Sequence, residues 1–302
     1  MPNFQTPFEL HIRVGAATGT INETLAGATG LSKTRLKQVM QKGAVWLSQG
    51  RQTKRVRRTK KIPPTGSIIH LYYNEALLDQ APPAPKLIAD EDLYSIWEKP
   101  CGLLSQGSKW GDHHNIHRWV EQHHQPQKPA FIVHRLDRAT RGLMIVAHSK
   151  KVAVAFSRQL QTRAIGKYYL AVVHGHFPAT NKTGFYKTPL HGRSALTEVK
   201  PLQYDPIRNY SLMWVRIHTG RKHQIRLHLS EAGYPIVGDR LYGQDDNRHD
   251  LQLTAYKLAF TCPVEQIDQA YQLSPDLIMT PKRDDDLRRL DGKLQLADTC
   301  DL

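Results

Sequence analysis

Apolar residues recur along this chain in two registers, helical near the N-terminus and strand-like over most of the remainder. Thr20-Ile21-Asn22-Glu23 has capping-box spacing and predicts the start of a short helix that Gly30 ends. Ser32 is a candidate N-cap for a second helix. In it Leu36, Val39 and Met40 form a stripe at i, i+3, i+4, and Gly43 stands where a terminating glycine belongs. Val45 and Leu47 alternate as on a strand, Ser48-Gln49-Gly50 reads as a turn, and 68–73 reads as a closing strand. Residues 75–86, with Pro82, Pro83 and Pro85, have linker composition. Beyond them the pattern predicts strands at 93–97, 131–133, 143–147 and 166–175, and a last one carrying Leu253, Tyr256, Leu258 and Phe260. Two helices interrupt this series. Ser149 caps one whose apolar positions are Val152, Phe156 and Leu160; Thr219 is the candidate N-cap of the other, with Ile225 and Leu229 inward and Gly233 as terminator. Residues 282–302 are charged and aperiodic and read as a surface tail.

Charge changes this picture more than composition does. At 302 residues the chain suggests two domains, taking roughly 150 residues for each. Forty-two Lys plus Arg stand against twenty-seven Asp plus Glu, for a net +15, a surplus that favours a polyanionic partner through phosphate neutralisation. The surplus is concentrated. Arg51, Lys54, Arg55, Arg57, Arg58, Lys60 and Lys61 follow one another with no acid between them, as in a phosphate-binding edge or a solvated arm. Lys33, Arg35 and Lys37 add cations on the outer faces of the second helix. Cys101, Cys262 and Cys300 are odd in number, far apart and without a C-x-x-C pair, so a disulfide framework or zinc knuckle is not expected and a reducing cytoplasm is. No apolar run approaches the ~20 residues of a spanning helix, so no membrane association is expected.

The segment 134–142 connects two predicted strands and carries one carboxylate, Asp137, among Arg135, Arg138 and Arg141. An acid so placed is either a neutralised structural group or a poised reactant. His134-Arg135-Leu136-Asp137-Arg138-Ala139-Thr140-Arg141-Gly142-Leu143 resembles the catalytic motif of the RluA-type pseudouridine synthases, H-R-L-D-x-x-T-S-G-L, with Arg141 in place of its Ser. Further segments carry the likeness in the same order. Asp92 with Lys99-Pro100-Cys101-Gly102-Leu103 resembles the family's opening, and 167–175 resembles K-x-Y-x-A-x-V-x-G. Residues 219–228 resemble T-G-R-x-H-Q-I-R-x-H, and 233–243 resemble G-x-P-I-x-G-D-x-x-Y-G. The front of the chain, through L-S-K-T-R-L-K-Q-V-M-Q-K-G-A-V-W-L, resembles the S4 RNA-binding module.

The resemblance implies an α+β fold with a mixed, mostly antiparallel central sheet flanked by helices and loops, preceded by a small α/β S4-like domain. The expected division is 1–75 S4-like, 76–87 linker, 88–281 catalytic domain and 282–302 tail. It implies an isomerase that breaks the N1–C1′ bond of a uridine in RNA, turns the base and rejoins it through C5. Asp137 would be the catalytic carboxylate, acting as nucleophile on C1′ or as a base toward the sugar. A neighbouring guanidinium favours an ionised carboxylate, the part given to Arg226. The register of the third motif selects Tyr169 over Tyr168 to stack on the base or take the C5 proton. Arg135 would support a flipped-out nucleotide, since the target cannot be reached inside a helix. Ribosomal or transfer RNA is the expected partner, with no obligatory protein partner. No metal or organic cofactor is expected, because bonds are exchanged without net redox change.

Other readings are weaker. His113, His114, His117, His123 and His124 include an H-x-x-x-H pair, yet no Cys or acid has zinc-site spacing with it. His218, His223 and His228 lie five apart and scatter around a helix. G-A-T-G-L-S-K-T at 27–34 lacks the Gly-Lys-Ser/Thr adjacency of a P-loop. An RNA-binding protein of the same fold with impaired catalysis is the alternative that Arg141 raises. A nucleoside or glycoside hydrolase is less favoured, because such enzymes generally use two carboxylates and this constellation has one.

Overall fold

The computed structural model describes residues 6–16, 19–178, 183–243 and 249–274; the expected tail at 282–302 lies outside the described residues. The chain divides into two compact units, Met1–Pro85 with Leu103–Arg135, and Lys86–Gly102 with Leu136–Leu302. This differs from the linear division expected above, because residues 103–135 pack with the N-terminal part. The first unit holds β1 (Phe8–Arg13), α1 (Ile21–Thr29), α2 (Lys33–Gln41), β2 (Val45–Gln49), β3 (Gln52–Arg55), β4 (Ile68–Tyr73) and α3 (Glu75–Asp79). Next come β5 (Lys86–Asp90) and β6 (Tyr94–Lys99) of the second unit. The chain then returns to the first for α4 (Ile116–His123) and the short β7 (Phe131–Ile132).

In the first unit the sheet is antiparallel in the order β1-β4-β2-β3. The capping box forms as the spacing predicts: Glu23 N donates to Thr20 Oγ1 at 3.3 Å and Thr20 N donates to Glu23 Oε2 at 3.1 Å. Ser32 Oγ accepts from Arg35 N at 3.1 Å. Leu25, Leu36, Val39 and Met40 of the two helices and Val45, Leu47, Ile69 and Leu71 of the sheet form one buried cluster. Two strands exceed the expectation. On β1, Phe8, Leu10 and Ile12 alternate with exposed Glu9, His11 and Arg13, and β3 arises inside the basic run. The linker composition at 75–86 conceals α3, capped by Asn74, whose Oδ1 accepts from Leu77 N at 3.0 Å.

The basic run does not all face solvent. Arg55 Nη1 donates to Asp112 Oδ2 at 2.7 Å, and Arg57 Nη2 donates to the same oxygen. Arg55 Nε also donates to Gly43 O at 2.9 Å, and its guanidinium lies 4.3 Å from the centre of the Trp46 ring. Asp112 is only 6% exposed, so these two cations, expected to meet RNA, also tie residues 103–135 to the rest of the first unit.

The remaining elements belong to the second unit: β8 (Arg141–Ala147), α5 (Lys150–Gln161), β9 (Gly166–His174), β10 (Gly184–Tyr186), β11 (Thr197–Asp205), β12 (Tyr210–Ile217), α6 (Gln224–Glu231), β13 (Leu253–Thr261) and β14 (Asp268–Gln272). Their sheet runs β10-β11-β12-β9-β13-β8-β6-β5, with β14 also on β13. Only the β13–β8 pairing among these is parallel. The fold is thus α+β with a mixed, mostly antiparallel sheet. β6 is buried at every position and β8 at every position after Arg141, which explains their continuous apolar sequence. Phe156 of α5 packs edge-on against Tyr94 and Phe260, with centroids 5.3 and 5.2 Å away. One boundary is corrected: α6 begins at Gln224 with His223 as N-cap, at φ 55°. Thr219 does not cap it, because its hydroxyl donates to Gln224 Oε1 at 2.7 Å and accepts from Leu196 N at 3.0 Å.

Asp112→Ala leaves Arg55 and Arg57 without their carboxylate in a half-buried place, and loss of one partner of a buried pair costs about 3 kcal/mol. Urea unfolding followed by Trp fluorescence should show a destabilisation of that order. A midpoint equal to that of the parent protein would refute the structural role given to Asp112.

Candidate active site

Asp137 sits in a loop that is held from the side of β6. Its carbonyl accepts from Thr140 N at 3.1 Å, and Gly102 N donates to Arg138 O at 2.9 Å. Arg138 Nε donates back to Gly102 O at 3.2 Å. Lys99 Nζ donates to Pro100 O at 3.0 Å and to Arg138 O at 3.3 Å. The K-P-C-G segment therefore grips the loop through backbone groups and one buried ammonium. Where the loop enters β8, Gly142 has φ 122°, and a Cβ there would lie 2.2 Å from Ala255 O. Only glycine permits the β8–β13 approach at this point.

Arg226 and Tyr169 converge on Asp137. Arg226 lies on α6, where Nε donates to Asp239 Oδ2 at 2.7 Å and Nη2 to Asp239 Oδ1 at 2.5 Å. Asp239 also accepts from Leu241 N and Tyr242 N at 3.0 and 3.1 Å. With its fork fixed in this way, Arg226 turns Nη1 toward Asp137 Oδ2 at 3.7 Å. His223 Nε2 stands 3.8 Å from Asp137 Oδ1, and its Nδ1 meets Tyr242 Oη at 2.7 Å. Tyr169, on β9 between Val215 and Ala255, is buried beside the Asp137 charge. Tyr168 belongs to the opposite face, with Trp214, Arg216 and Lys257 around its ring.

The electrostatics follow from burial. Lys99 is 0% exposed, and loss of solvent pulls its ammonium down to about 7, opposed by the nearby Cys101 and Asp137. Burial and the Asp137 charge push the Tyr169 phenol well above its ordinary range, so it stays protonated at neutral pH. Burial lowers His223, opposed by Asp137. The product is one carboxylate, its side chain 19% exposed, faced by a guanidinium, an imidazole and a buried amine, with a neutral phenol beside it. Such a group can attack an electrophilic carbon or accept a proton.

The match to known proteins agrees with this geometry. Residues 93–231 match the family model described as RNA pseudouridylate synthase. A dual-specificity RNA pseudouridine synthase RluA of Vibrio vulnificus is 33% identical over 214 residues, covering 62% of this chain and 83% of that protein. The chain belongs to the RNA pseudouridylate synthase family. A ribosomal large subunit pseudouridine synthase D of Neisseria meningitidis is 32% identical over 210 residues, 64% of this chain and 54% of the relative. Human RNA pseudouridylate synthase domain containing 1 shares the fold, with TM-score 0.54 and 21% identity over 64% of this chain and 84% of that one.

Of the residues that the synthase motifs single out, Asp137, Tyr169 and Arg226 come together. Arg135 is exposed and belongs to the first unit. Arg51, Lys54, Arg58, Lys60, Lys61 and Lys37 are exposed; Lys33 is exposed and pairs with Glu23 at 3.0 Å. Arg35 is committed elsewhere, donating to Asp79 through Nη1 at 2.6 Å and Nη2 at 3.0 Å. Arg141 Nη2 donates to Glu98 Oε1 at 2.8 Å. The front histidines contact backbone carbonyls: His113 to Leu77 O, His114 to Ala81 O, His117 to Ala130 O, His123 to Trp119 O and His124 to Pro126 O. Sequence reasoning gave no role in the site to Lys99, His223, Asp239 or Tyr242, although all four lie in the matched motifs.

Because Lys99 releases its proton near pH 7 when folded and near 10.5 when unfolded, the unfolded chain holds more protons between these values, and stability rises with pH across that window. Lys99→Met should reduce this slope by up to about 1.4 kcal/mol per pH unit, measured by denaturant unfolding from pH 7 to 9. An unaltered slope would show that Lys99 titrates normally.

Proposed function

We propose that this RNA pseudouridine synthase isomerises specific uridines through Asp137, with Arg226 and Tyr169 as its partners at the reacting nucleotide. The observation that carries the assignment is the convergence on Asp137 of a guanidinium whose other donors are already taken by Asp239. Nη1 is thereby left to face the Asp137 carboxylate. The acid acts on the ribose as nucleophile or base, the N1–C1′ bond breaks, and the turned uracil rejoins through C5. The C5 proton leaves last. A phenol held protonated is a poor acceptor for it, which supports Tyr169 as the surface against which the base stacks and turns.

Arg141 prompted the alternative of an impaired enzyme. Its contact with Glu98 supports retained activity, since the Asp137 loop keeps its clips to Gly102 and Lys99. The single acid at the centre likewise favours isomerisation over hydrolysis, because Asp239 is engaged by Arg226. Ribosomal or transfer RNA is the substrate class. The sheet-and-helix first unit, with its exposed cations, supports an S4-like RNA-binding role. A cytoplasmic place follows from the need to meet RNA. Among the described residues no helix is long and apolar enough to cross a membrane.

Asp137→Ala should abolish pseudouridine formation, read by chemical mapping of total RNA from cells with and without the gene, while RNA affinity changes less than about threefold. Release of free uracil by the parent protein would move the reaction to hydrolysis instead. For the first unit, replacing exposed Arg51, Lys54 and Arg58 by Gln should weaken RNA binding. The slope of log affinity against log salt should flatten by roughly 2, at about 0.7–0.9 for each phosphate contact. An unchanged slope removes these residues from the RNA surface.

A further inference from the structure

The second unit contains a cavity of about 230 Å³ bordered by the end of α5, the start of β9, and the turn from β12 into the T-G-R-K-H segment. Asp137, Tyr169, His223 and Arg226 are not among its lining residues. Its charged lining is cationic: Arg163, Lys167, Arg216 and Arg221, joined by His218. The acid in contact with this group, Glu198, is taken up by His218 Nε2 at 2.9 Å. Arg221 is anchored by Nε, which donates to Ser194 O at 2.9 Å. Lys167 differs from its neighbours. Among the described residues, Nζ has neither a hydrogen-bond nor an ion-pair partner, although burial lowers its ammonium below the ordinary lysine range. Gly220 leaves it open on one side, since a Cβ there would stand 3.6 Å from Nζ.

We propose that this cavity binds a phosphodiester of the substrate RNA strand, next to the uridine that reacts at Asp137. The argument rests on the synthase reading above and adds a specific contact to it. Three cations, Arg163, Lys167 and Arg221, line a space that holds no acid of its own, the Arg216 guanidinium lying by the Tyr168 ring on the other face of β9, and a half-buried ammonium without a counter-ion is costly unless an anion completes it. The C-terminal carbonyls of α5 add partial negative charge to the same wall, so the density of cations is what makes the space attractive to an anion. Position specifies which anion. Lys167 is two residues from Tyr169 on the same face of β9, roughly 7 Å along the strand, and Arg221 is two residues from His223. A phosphate held here therefore lies one nucleotide's reach from the base that Tyr169 supports. Phosphate contacts of this kind fix register without reading sequence.

The test uses the full chain. Inorganic phosphate is titrated into the parent protein and into Lys167→Met, with chemical-shift changes at Gly220 and neighbouring amides as readout. RNA affinity of both is measured from 50 to 200 mM salt. Lys167→Met removes a buried charge and so should fold; Arg163→Gln, on the exposed rim, is the second variant. The expected result is phosphate binding that weakens at least tenfold in Lys167→Met, together with a salt slope flatter by about 0.7–0.9 in each variant. Equal salt slopes in parent and both variants overturn the proposal, whether or not inorganic phosphate binds. If the parent modifies no RNA while the Lys167-dependent phosphate site and slope persist, the synthase reading fails and the pocket stands. Modification with unchanged slopes sinks the pocket alone.

Discussion

The paired contact of Arg226 with Asp239 is the constraint on which the reaction centre depends. Both side chains are almost wholly buried, and a buried ion pair of this kind contributes little net stability, because desolvation consumes most of the attraction. What it contributes is direction. A guanidinium carries five donors in a rigid fork. Once two of its nitrogens are fixed on a carboxylate that is itself held by Leu241 N and Tyr242 N, the third can point in only one direction. That direction is Asp137. Tyr242 completes the arrangement from two sides, lying under the guanidinium at 5.1 Å and bonding His223 through its hydroxyl. The T-G-R-K-H-Q segment is pinned in turn by Gln224, whose amide donates to Leu196 O and Thr197 Oγ1. Most polar residues of the two longest motifs thus serve to aim two side chains.

A second constraint is the charge state around a single acid. Lys99, Arg226 and His223 together could overwhelm one carboxylate and hold it in a permanent ion pair. Burial moderates this in Lys99, which sits near 7, and in His223, which burial also lowers. Arg226 spends most of its charge on Asp239. The acid keeps partial access to solvent and has no cation closer than 3.7 Å among those described. An acid so placed leaves its oxygens free to react.

Legibility in the sequence followed the range of the interaction. Caps were readable because they are local: Thr20 with Glu23, Ser32 with Arg35, Ser149 with Val152 all formed. Thr219 had the right residue type for a cap and the wrong role, because its hydroxyl is claimed by Gln224, five residues on, and by Leu196, on another segment. Asp137, Tyr169 and Arg226 could be named because each lies in a motif, but the role of Lys99 could not. Its burial is produced by the neighbouring strand β8 and by the Asp137 loop, neither visible in a K-P dipeptide. The inward turn of Arg55 and Arg57 was hidden for the same reason, since Asp112 lies 57 and 55 residues away in sequence. An uninterrupted run of cations looks uniform until a distant acid divides it.

Arg141 shows how a departure from a motif can be absorbed. On β8 it lies one residue before Gly142, which pairs with Lys99, while Glu98 pairs with Leu143. Side chains alternate across a strand, so Glu98 and Arg141 share one face and Lys99 takes the other. Diagonal neighbours on a face are within reach of a long side chain, and Arg141 closes that gap to Glu98 at 2.8 Å. The Glu98 side chain is 11% exposed, so without a partner it would carry the cost of a nearly buried charge. A serine at 141 is too short to neutralise it. The two residues therefore make sense together, as a pair with no net charge. The altered position in the motif answers a demand of β6, on the face of the sheet turned away from Lys99.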